Sequence, residues 1–294
     1  MLSILIPTYN YNVYPLVLEL HKQCLECQIE FEILVQDDAS KSELNLENEK
    51  INLVSNCSFK ILELNIGRSS IRNLLAKQSK FENLLFLDAD TIPINKDFIE
   101  SYVSNIDVDE KVVYGGIKYQ KERPAKNELL RWVYGNKREA LSIEKRNKNP
   151  YLSFLTLNFL IKKSIFNQVK FNESIQNLRH VDTLFSYDFI QKKIKLIHIE
   201  NLVWHLGLVT SLIFIKKSEE AIIGLKNLID SKNIDSSYTK ISSYYKKIKY
   251  YRLTKIIAFF FRVIKSLLKK QLLSDKPSLI VFDLYRLGYF VSLK

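Results

Sequence analysis

The predicted fold depends on the stretch LLFLDAD (residues 84–90), in which four apolar residues lead directly into two carboxylates. The apolar run predicts a buried strand, which places Asp88 and Asp90 where that strand ends. Carboxylates that are buried without a partner are costly, whereas a divalent cation held by carboxylates and substrate phosphates satisfies them. The stretch therefore predicts either a cation site or a solvated turn at the end of a strand.

Two earlier apolar stretches also end in polar residues. SILIP (residues 3–7) is followed by the polar residues 8–10, and FEILV (residues 31–35) leads into Asp37 and Asp38. In an open α/β sheet, the carboxyl ends of the strands border one crevice, which is the usual ligand site. We therefore expect the three polar clusters to lie close together.

Strands and helices are predicted to alternate along the first two thirds of the chain. Further strands are predicted over residues 59–64, 112–116, 151–159 and 194–199, and helices over residues 16–27, 70–77 and 185–190. This alternation predicts an α/β fold, with a parallel sheet covered by helices on both faces. Residues 118–149 carry an ambiguous pattern.

Several common signatures are excluded. The seven glycines form no G-x-G pair, no P-loop and no G-x-S-x-G turn, so a bound nucleotide must be held by other means. Cys24 and Cys27 form a lone C-x-x-C without a second pair, and we expect them to line a helix rather than to hold zinc.

The charge is concentrated in the C-terminal part. The chain carries a net charge of +12, and residues 240–294 alone hold 13 Lys or Arg against 2 Asp or Glu, while residues 1–115 hold 10 against 18. Such a segment predicts an anionic partner, either nucleic acid or an acidic membrane surface.

The pattern of residues 244–273 favours the membrane surface over nucleic acid. Lys255, Arg262 and Lys269 recur every seven residues on one side of a predicted helix. The apolar residues on the other side are Ile256, Phe260, Val263, Ile264 and Leu267. A basic amphipathic helix of this kind lies in the headgroup region of an anionic bilayer, and the alternative is packing on its own domain.

No segment predicts a membrane span or a leader. The longest apolar run, residues 256–261, is far too short to cross a bilayer, and the N-terminus lacks the basic start of a signal peptide. We therefore expect a cytoplasmic protein that lies peripherally on the inner face of the cell membrane.

Taken together, these motifs resemble the family 2 glycosyltransferases, which build bacterial polysaccharides and other glycans. The matching stretches occur in the order and at the spacing of the family: SILIPTYN (residues 3–10), EILVQDDAS (32–40), NIGR (65–68) and LDAD (87–90). A weaker match continues from DTLF (182–185) to WHLG (204–207).

The resemblance implies a GT-A fold, which is Rossmann-like, with a mostly parallel central sheet flanked by helices. It implies a glycosyltransferase domain over residues 1–215, with a nucleotide-binding half (1–117) and an acceptor-binding half (118–215). Residues 216–294 would then form a helical, basic C-terminal extension.

The resemblance also implies a donor site. The implied donor-binding residues are Pro7, Thr8, Tyr9, Asp38, Arg68, Arg72, Asp88, Ala89 and Asp90. Asp38 would accept a hydrogen bond from the base, or cap the following helix. Arg68 and Arg72 would lie near the base or the phosphates, or on a solvated helix face. Asp90 would hold Mn²⁺ or Mg²⁺ on the diphosphate, and Asp88 would reach either the metal or the ribose. His205 would complete the metal site, unless it is a packed core residue.

Asp182 is the implied general base, which would take the proton of the acceptor hydroxyl as that oxygen attacks the anomeric carbon and inverts it. A helix N-cap is the alternative role. Trp204 and His180 are the implied acceptor contacts, although Trp204 could instead fill the core. Val181 occupies the position at which the family usually has Glu. This difference leaves open the alternative that the protein is an inactive relative of the family, which acts as a membrane-associated assembly partner.

We therefore expect a metal-dependent, inverting hexosyltransferase. It would move a sugar from a nucleoside-diphosphate sugar, most often a UDP-sugar, to a glycan or lipid-linked acceptor, and it would not bind nucleic acid. A sugar nucleotidyltransferase is the less favoured alternative, because it would need a glycine-rich basic loop where this chain has PTYN (residues 7–10).

Overall fold

The structure is a computed structural model that describes residues 1–174 and 179–293. The described residues fall into two compact units. The sheet unit comprises residues 1–120, 140–174 and 181–207, and the helical unit comprises residues 121–139, 179–180 and 208–293.

The sheet unit is built on a seven-stranded sheet. Its strands are β1 (Leu2–Thr8), β2 (Phe31–Asp37), β3 (Cys57–Ile61), β4 (Asn83–Leu87), β6 (Lys111–Tyr114), β8 (Asn158–Lys162) and β9 (Lys195–His198). A small second sheet contains β5 (Thr91–Pro93), β7 (Ile117–Lys118) and β10 (Val203–His205).

The large sheet has the strand order β3-β2-β1-β4-β8-β6-β9. Only β8 among these strands runs antiparallel to its neighbours β4 and β6. The strands β1, β2 and β4 are almost fully buried, which explains why they read as continuous apolar runs. The prediction of a mostly parallel α/β sheet flanked by helices is confirmed.

Helices occur in both units. In the sheet unit they are α1 (Tyr14–Glu26), α2 (Asn45–Asn48), α3 (Arg68–Gln78), α4 (Phe98–Val103), α6 (Ile143–Asn147), α7 (Lys163–Val169) and α8 (Val181–Gln191). In the helical unit they are α5 (Leu129–Tyr134), α9 (Ser211–Asp230), α10 (Lys240–Tyr250), α11 (Thr254–Leu272) and α12 (Leu279–Ser292). Cys24 is a buried residue of α1, and Cys27 directly follows the last residue of that helix.

Two predicted elements differ from the structure. The strand predicted over residues 151–159 begins only at Asn158, after a 3₁₀ turn at Tyr151–Ser153. The apolar character before it reflects burial rather than pairing, because Phe154 packs edge-on against Phe159. The helix predicted over residues 244–273 is broken between α10 and α11, where Arg252 adopts a φ of 58°.

An aromatic core holds α8 against the sheet. The rings of Phe86 in β4 and Phe159 in β8 stack with centroids 4.9 Å apart, and Phe171 stacks on Phe185 of α8 at 4.2 Å. Because α8 is anchored through Phe185, its first turn is held near the end of β4.

The helical unit has a core of its own. Its buried members are Leu130, Ile215, Phe261, Leu272, Phe282 and Tyr285. Among the helices of the described residues, none combines the length and the apolar character that crossing a bilayer requires.

Gly288→Ala is expected to destabilise the helical unit, because α11 and α12 touch at this glycine. A Cβ atom there would lie 2.3 Å from Cδ2 of Phe261, which is buried. Overpacking of this kind costs about 1–3 kcal/mol of unfolding free energy, measurable by denaturant titration. Since the clash is with one ring, the double variant with Phe261→Ala should lose less than the sum of the two single variants. Unchanged stability of Gly288→Ala would contradict the close packing.

Candidate functional site

The polar clusters after β1 and β2 meet at one edge of the large sheet. Thr8 pairs with Asp37 at the ends of these parallel strands, and the amide of Asp38 donates to the carbonyl of Thr8 at 3.0 Å. Asp88 follows β4, which pairs with the other side of β1. The three predicted clusters therefore lie at the carboxyl ends of three adjacent strands.

Asp38 joins two loops at this edge. Its carboxylate accepts hydrogen bonds from the amides of Ile66 (2.7 Å) and Gly67 (2.9 Å), directly before α3. Its carbonyl accepts a hydrogen bond from the side chain of Asn65 at 2.8 Å. Asp38 does not cap the following helix α2, which begins at Asn45. The interaction instead fixes the loop that leads to Arg68.

The residues predicted to frame a base differ in their exposure. Thr8 is buried, Pro7 is partly buried, and Tyr9 exposes 59% of its surface. The ring of Tyr9 is therefore accessible to a ligand at this edge of the sheet.

Arg72 is buried and forms an ion pair with Asp88. Its Nη2 lies 2.5 Å from Oδ1 of Asp88, its Nη1 donates to the carbonyl of Arg68 at 3.1 Å, and its guanidinium lies over the ring of Phe171. The alternative of a solvated helix face is therefore wrong for Arg72, whereas Arg68, at the first position of α3, is exposed. The pair places a cation and an anion together where β4 ends.

Asp182, in the first turn of α8, lies within electrostatic range of this pair. Thr156 donates a hydrogen bond from Oγ1 to Oδ1 of Asp182 at 2.6 Å. Burial raises the pKa of Asp182, the hydrogen bond from Thr156 and the charge of Arg72 lower it, and the charge of Asp88 raises it; the net shift is upward. A carboxylate with a raised pKa is a stronger base than an ordinary aspartate.

The small sheet brings Asp90 and His205 together. His205 in β10 pairs with Thr91 in β5, and the amide of Leu206 donates to the carbonyl of Asp90 at 2.8 Å. As a result, Nε2 of His205 lies 3.6 Å from Oδ2 of Asp90. Gly207 makes room for this carboxylate, since a Cβ there would lie 1.9 Å from Oδ2.

The Asp90–His205 pair fits a divalent cation in its donor chemistry. A carboxylate oxygen and an imidazole nitrogen are both ligands of Mn²⁺, and their separation is longer than a hydrogen bond. Asp88 is the third predicted ligand, and its Oδ1 accepts a hydrogen bond from Nη2 of Arg72. No group of three or more His, Cys, Asp or Glu side chains within the described residues is arranged to hold a metal. The ring of His205 also packs against Tyr119, at 5.2 Å between centroids.

The other predicted site residues are Ala89, Trp204 and His180, and each is buried or partly buried. Ala89 is buried in the turn between β4 and β5, and Trp204 is partly buried in β10, opposite Ile92. His180 belongs to the helical unit, where burial and then the charge of Arg286 lower its pKa to about 4. The imidazole of His180 is therefore neutral at physiological pH.

Three residues near the predicted site residues were not predicted from the sequence. Thr156 binds Asp182 from the turn before β8, and no local pattern marks it. Tyr11 lies near Asp90, since burial and then the charge of Asp90 raise its pKa. Gly207 is the last residue of WHLG (residues 204–207). Its position two residues after His205, a predicted metal ligand, was the signal that could have identified it.

Comparison with known proteins identifies the family. The family described as "Glycosyl transferase family 2" matches residues 3–170, which is more than half of the chain. No curated protein is similar enough to be matched.

Three solved structures with similar folds are each less than 25% identical in sequence to this chain. TarS of S. aureus (residues 1–349, with UDP-GlcNAc) is 22% identical with a TM-score of 0.52, over 77% of this chain and 66% of that one. The mannosyltransferase PcManGT of Pyrobaculum calidifontis (with GDP-Man and Mn²⁺) is 14% identical with a TM-score of 0.55, over 78% and 64%. GalNAc-T7 (with UDP, GalNAc and Mn²⁺) is 17% identical with a TM-score of 0.53, over 71% and 44%.

The matched region therefore spans less than two thirds of each of these three chains. Their likeness to this chain confirms the predicted GT-A fold. The matched family region contains the strand-end clusters around Asp38 and Asp88. This chain therefore belongs to glycosyltransferase family 2.

Proposed function

We propose that this protein transfers a sugar from a nucleoside-diphosphate sugar to a hydroxyl group of a glycan or lipid-linked acceptor. The transfer would depend on Mn²⁺ or Mg²⁺ and would invert the anomeric carbon. The observation that carries the proposal is that Asp182, Arg72 and Asp88 come together at the end of β4. Asp90, two residues after Asp88, pairs with His205.

The donor would bind along the carboxyl ends of β1, β2 and β4. Asp38 would accept a hydrogen bond from the base, since each carboxylate oxygen has a second lone pair besides the one used by the loop amides. Tyr9, with Pro7 and Thr8 behind it, would contact the base, and Arg68 is exposed to meet the phosphates. Because the similar TarS and PcManGT structures hold UDP-GlcNAc and GDP-Man, a nucleotide sugar is the expected donor. We expect the nucleotide to be UDP, which the TarS and GalNAc-T7 structures both contain.

Asp90 and His205 would hold the cation on the donor diphosphate, and Asp88 would use its second oxygen for the ribose or the ion. The bound cation would stabilise the negative charge that accumulates on the leaving nucleoside diphosphate. Arg72 holds the other oxygen of Asp88, and thereby orients its carboxylate. Two protein ligands are typical of ions that also bind substrate phosphates.

Asp182 would act as the general base. The hydrogen bond from Thr156 orients its carboxylate, and its raised pKa favours proton uptake from an acceptor hydroxyl. A positioned base of this kind contributes about 10²–10⁴-fold to the rate. Trp204 would contact the acceptor. The enzyme would work at the cytoplasmic face of the cell membrane.

Thermal unfolding with a panel of nucleoside diphosphates tests the donor site. We expect UDP with Mn²⁺ to raise the melting temperature, because a ligand at a hundred times its Kd stabilises the native state by about 2.7 kcal/mol. Asp38→Asn should weaken the shift, and Leu53→Ser, at an exposed position of the sheet unit, should leave it unchanged. If no nucleoside diphosphate or sugar nucleotide shifts the transition with Mn²⁺ or Mg²⁺, the proposed donor site is wrong.

A further inference from the structure

The helix α11 carries apolar residues on two opposite faces. One face packs into the helical unit through Ala258, Phe261 and Leu272, which are buried. The other face is exposed to solvent, and we define it as the α11 stripe: Ile256, Phe259, Phe260, Val263 and Leu267. Each stripe residue exposes between 53 and 67% of its surface. Since these residues recur every three or four positions, they form one continuous row.

The α11 stripe is not left exposed by a loosely attached helix. Phe261 packs edge-on against Tyr285 of α12, and Gly288 brings the two helices into close contact. Lys265 also points inward, where its Nζ lies 3.1 Å from Glu219. The orientation of α11 is therefore determined by its packed face, and the row of large apolar side chains on the opposite side needs another partner.

The charged side chains beside the α11 stripe are basic and exposed to solvent. Lys255, Arg262 and Lys270 are exposed on α11, and no ion pair is found for them within residues 1–174 and 179–293. The helix contains no acidic residue. The two acidic residues of the C-terminal segment are already paired, Asp275 with Lys126 and Asp283 with Arg138.

We propose that the α11 stripe inserts into the headgroup region of an anionic lipid bilayer, with Lys255, Arg262 and Lys270 on the lipid phosphates. An amphipathic helix with aromatic side chains on its apolar face and basic residues beside it binds such a surface through apolar burial and charge attraction. The neighbouring Tyr250 and Tyr251 are exposed before α11 and supply the amphipathic rings that favour the interface of a bilayer.

Other occupants fit the stripe less well. In a symmetric dimer through this face, each copy would bring its basic flanks against those of the other, and like charges across an interface are unfavourable. A nucleic acid would contact the basic side chains but leave the phenylalanines in water. A lipid surface satisfies both the apolar row and the positive charges.

Sedimentation of the full chain with lipid vesicles tests this surface. We expect the protein to bind vesicles of phosphatidylcholine mixed with phosphatidylglycerol at least about tenfold more tightly than vesicles of phosphatidylcholine alone, and the preference to fall with added salt. The triple variant Phe259→Ser, Phe260→Ser, Val263→Ser should lose about tenfold or more of this binding, because it removes most of the apolar area that inserts.

Matched variants separate the two contributions and control for folding. Lys255→Gln with Arg262→Gln and Lys270→Gln should abolish the preference for anionic vesicles. Phe259→Leu with Phe260→Leu should retain most of the binding, since an apolar surface remains. Leu53→Ser and Val108→Ser remove apolar side chains that are 87% and 92% exposed in the sheet unit, and they should bind as the wild type does. All these positions are exposed, so we expect unchanged melting temperatures.

Four results would overturn the proposal: no binding of the wild type to anionic vesicles, unchanged binding of the triple serine variant, tighter binding to duplex DNA than to vesicles, or a concentration-dependent dimer that the triple variant abolishes in the absence of lipid. The vesicle assay needs neither donor nor acceptor. Its failure is therefore distinguishable from failure of the proposed transferase function.

Discussion

Asp182→Asn is expected to lower the rate of sugar transfer by about 10²–10⁴-fold and to leave the affinity for the donor unchanged. The substitution preserves the shape of the side chain and the contact with Thr156, but an amide does not take a proton from a hydroxyl group. The measurement is the rate of transfer to an acceptor, alongside donor binding by calorimetry.

Asp188→Asn is the matched control for this prediction. Asp188 lies on the same helix α8, and burial also raises its pKa, to about 6. It forms no part of the Arg72–Asp88 site, so its amide variant should transfer at the wild-type rate. Equal, measurable rates in the wild type and in Asp182→Asn would remove Asp182 as the base.

The pH dependence of transfer follows from the raised pKa of Asp182. The base works only when it is deprotonated, so kcat/KM should fall as the pH decreases through the pKa of this carboxyl group. Because burial raises that pKa, the loss should occur at a higher pH than for an exposed aspartate. The residual activity of Asp182→Asn should lack this acidic limb.

The transfer assay also tests the alternative that the protein is an inactive assembly partner, which the valine at position 181 suggested. Val181 is buried at the start of α8, so its side chain takes up space in the core rather than offering a charge. An inactive assembly partner would show donor binding but no transfer in either the wild type or Asp182→Asn. A wild type that transfers sugar excludes this alternative.

Gly207→Ala should weaken the binding of Mn²⁺ in the presence of UDP by about 10–100-fold, although it changes no ligand. The new Cβ would lie 1.9 Å from Oδ2 of Asp90, so the carboxylate must turn away from His205. Titration calorimetry measures this affinity without turnover. Asp90→Asn should lower it at least as much, since it removes the charged ligand.

Leu206→Ala is the control for the glycine substitution. Leu206 precedes Gly207, and its side chain is partly exposed, so its truncation leaves the space beside Asp90 unchanged. We expect wild-type Mn²⁺ affinity in this variant. Unchanged affinity in both Gly207→Ala and Asp90→Asn would mean that the cation binds elsewhere.

The strand-end clusters of polar residues could be predicted from the sequence because their signals are local. A buried strand reads as an apolar run, and the polar residues that follow it, such as Asp38 and Asp88, occupy the carboxyl end of a parallel sheet. The contact between Thr156 and Asp182 could not be predicted in this way. Thr156 meets Asp182 from another part of the chain, and nothing in the residues around Thr156 indicates that contact.

The pairing of Asp90 with His205 could be predicted only in part. The resemblance to a family suggested both residues, but their distance depends on the antiparallel pairing of β5 with β10 and on the missing side chain of Gly207. The ion pair of Arg72 with Asp88 was not predicted, because residues 16 positions apart meet only when α3 packs on β1 and β2, beside which β4 ends.

The sequence by itself determined that the chain is an α/β protein of glycosyltransferase family 2 with a basic, amphipathic C-terminal region. The spacing of residues in α11 also determined which side chains share a face, since the period of a helix is constant. Only the tertiary structure decided which face packs, because Phe261 and Leu272 face α12 while Phe260 and Val263 face solvent. Periodicity is a property of one helix, whereas burial depends on the neighbours that the rest of the chain brings to it.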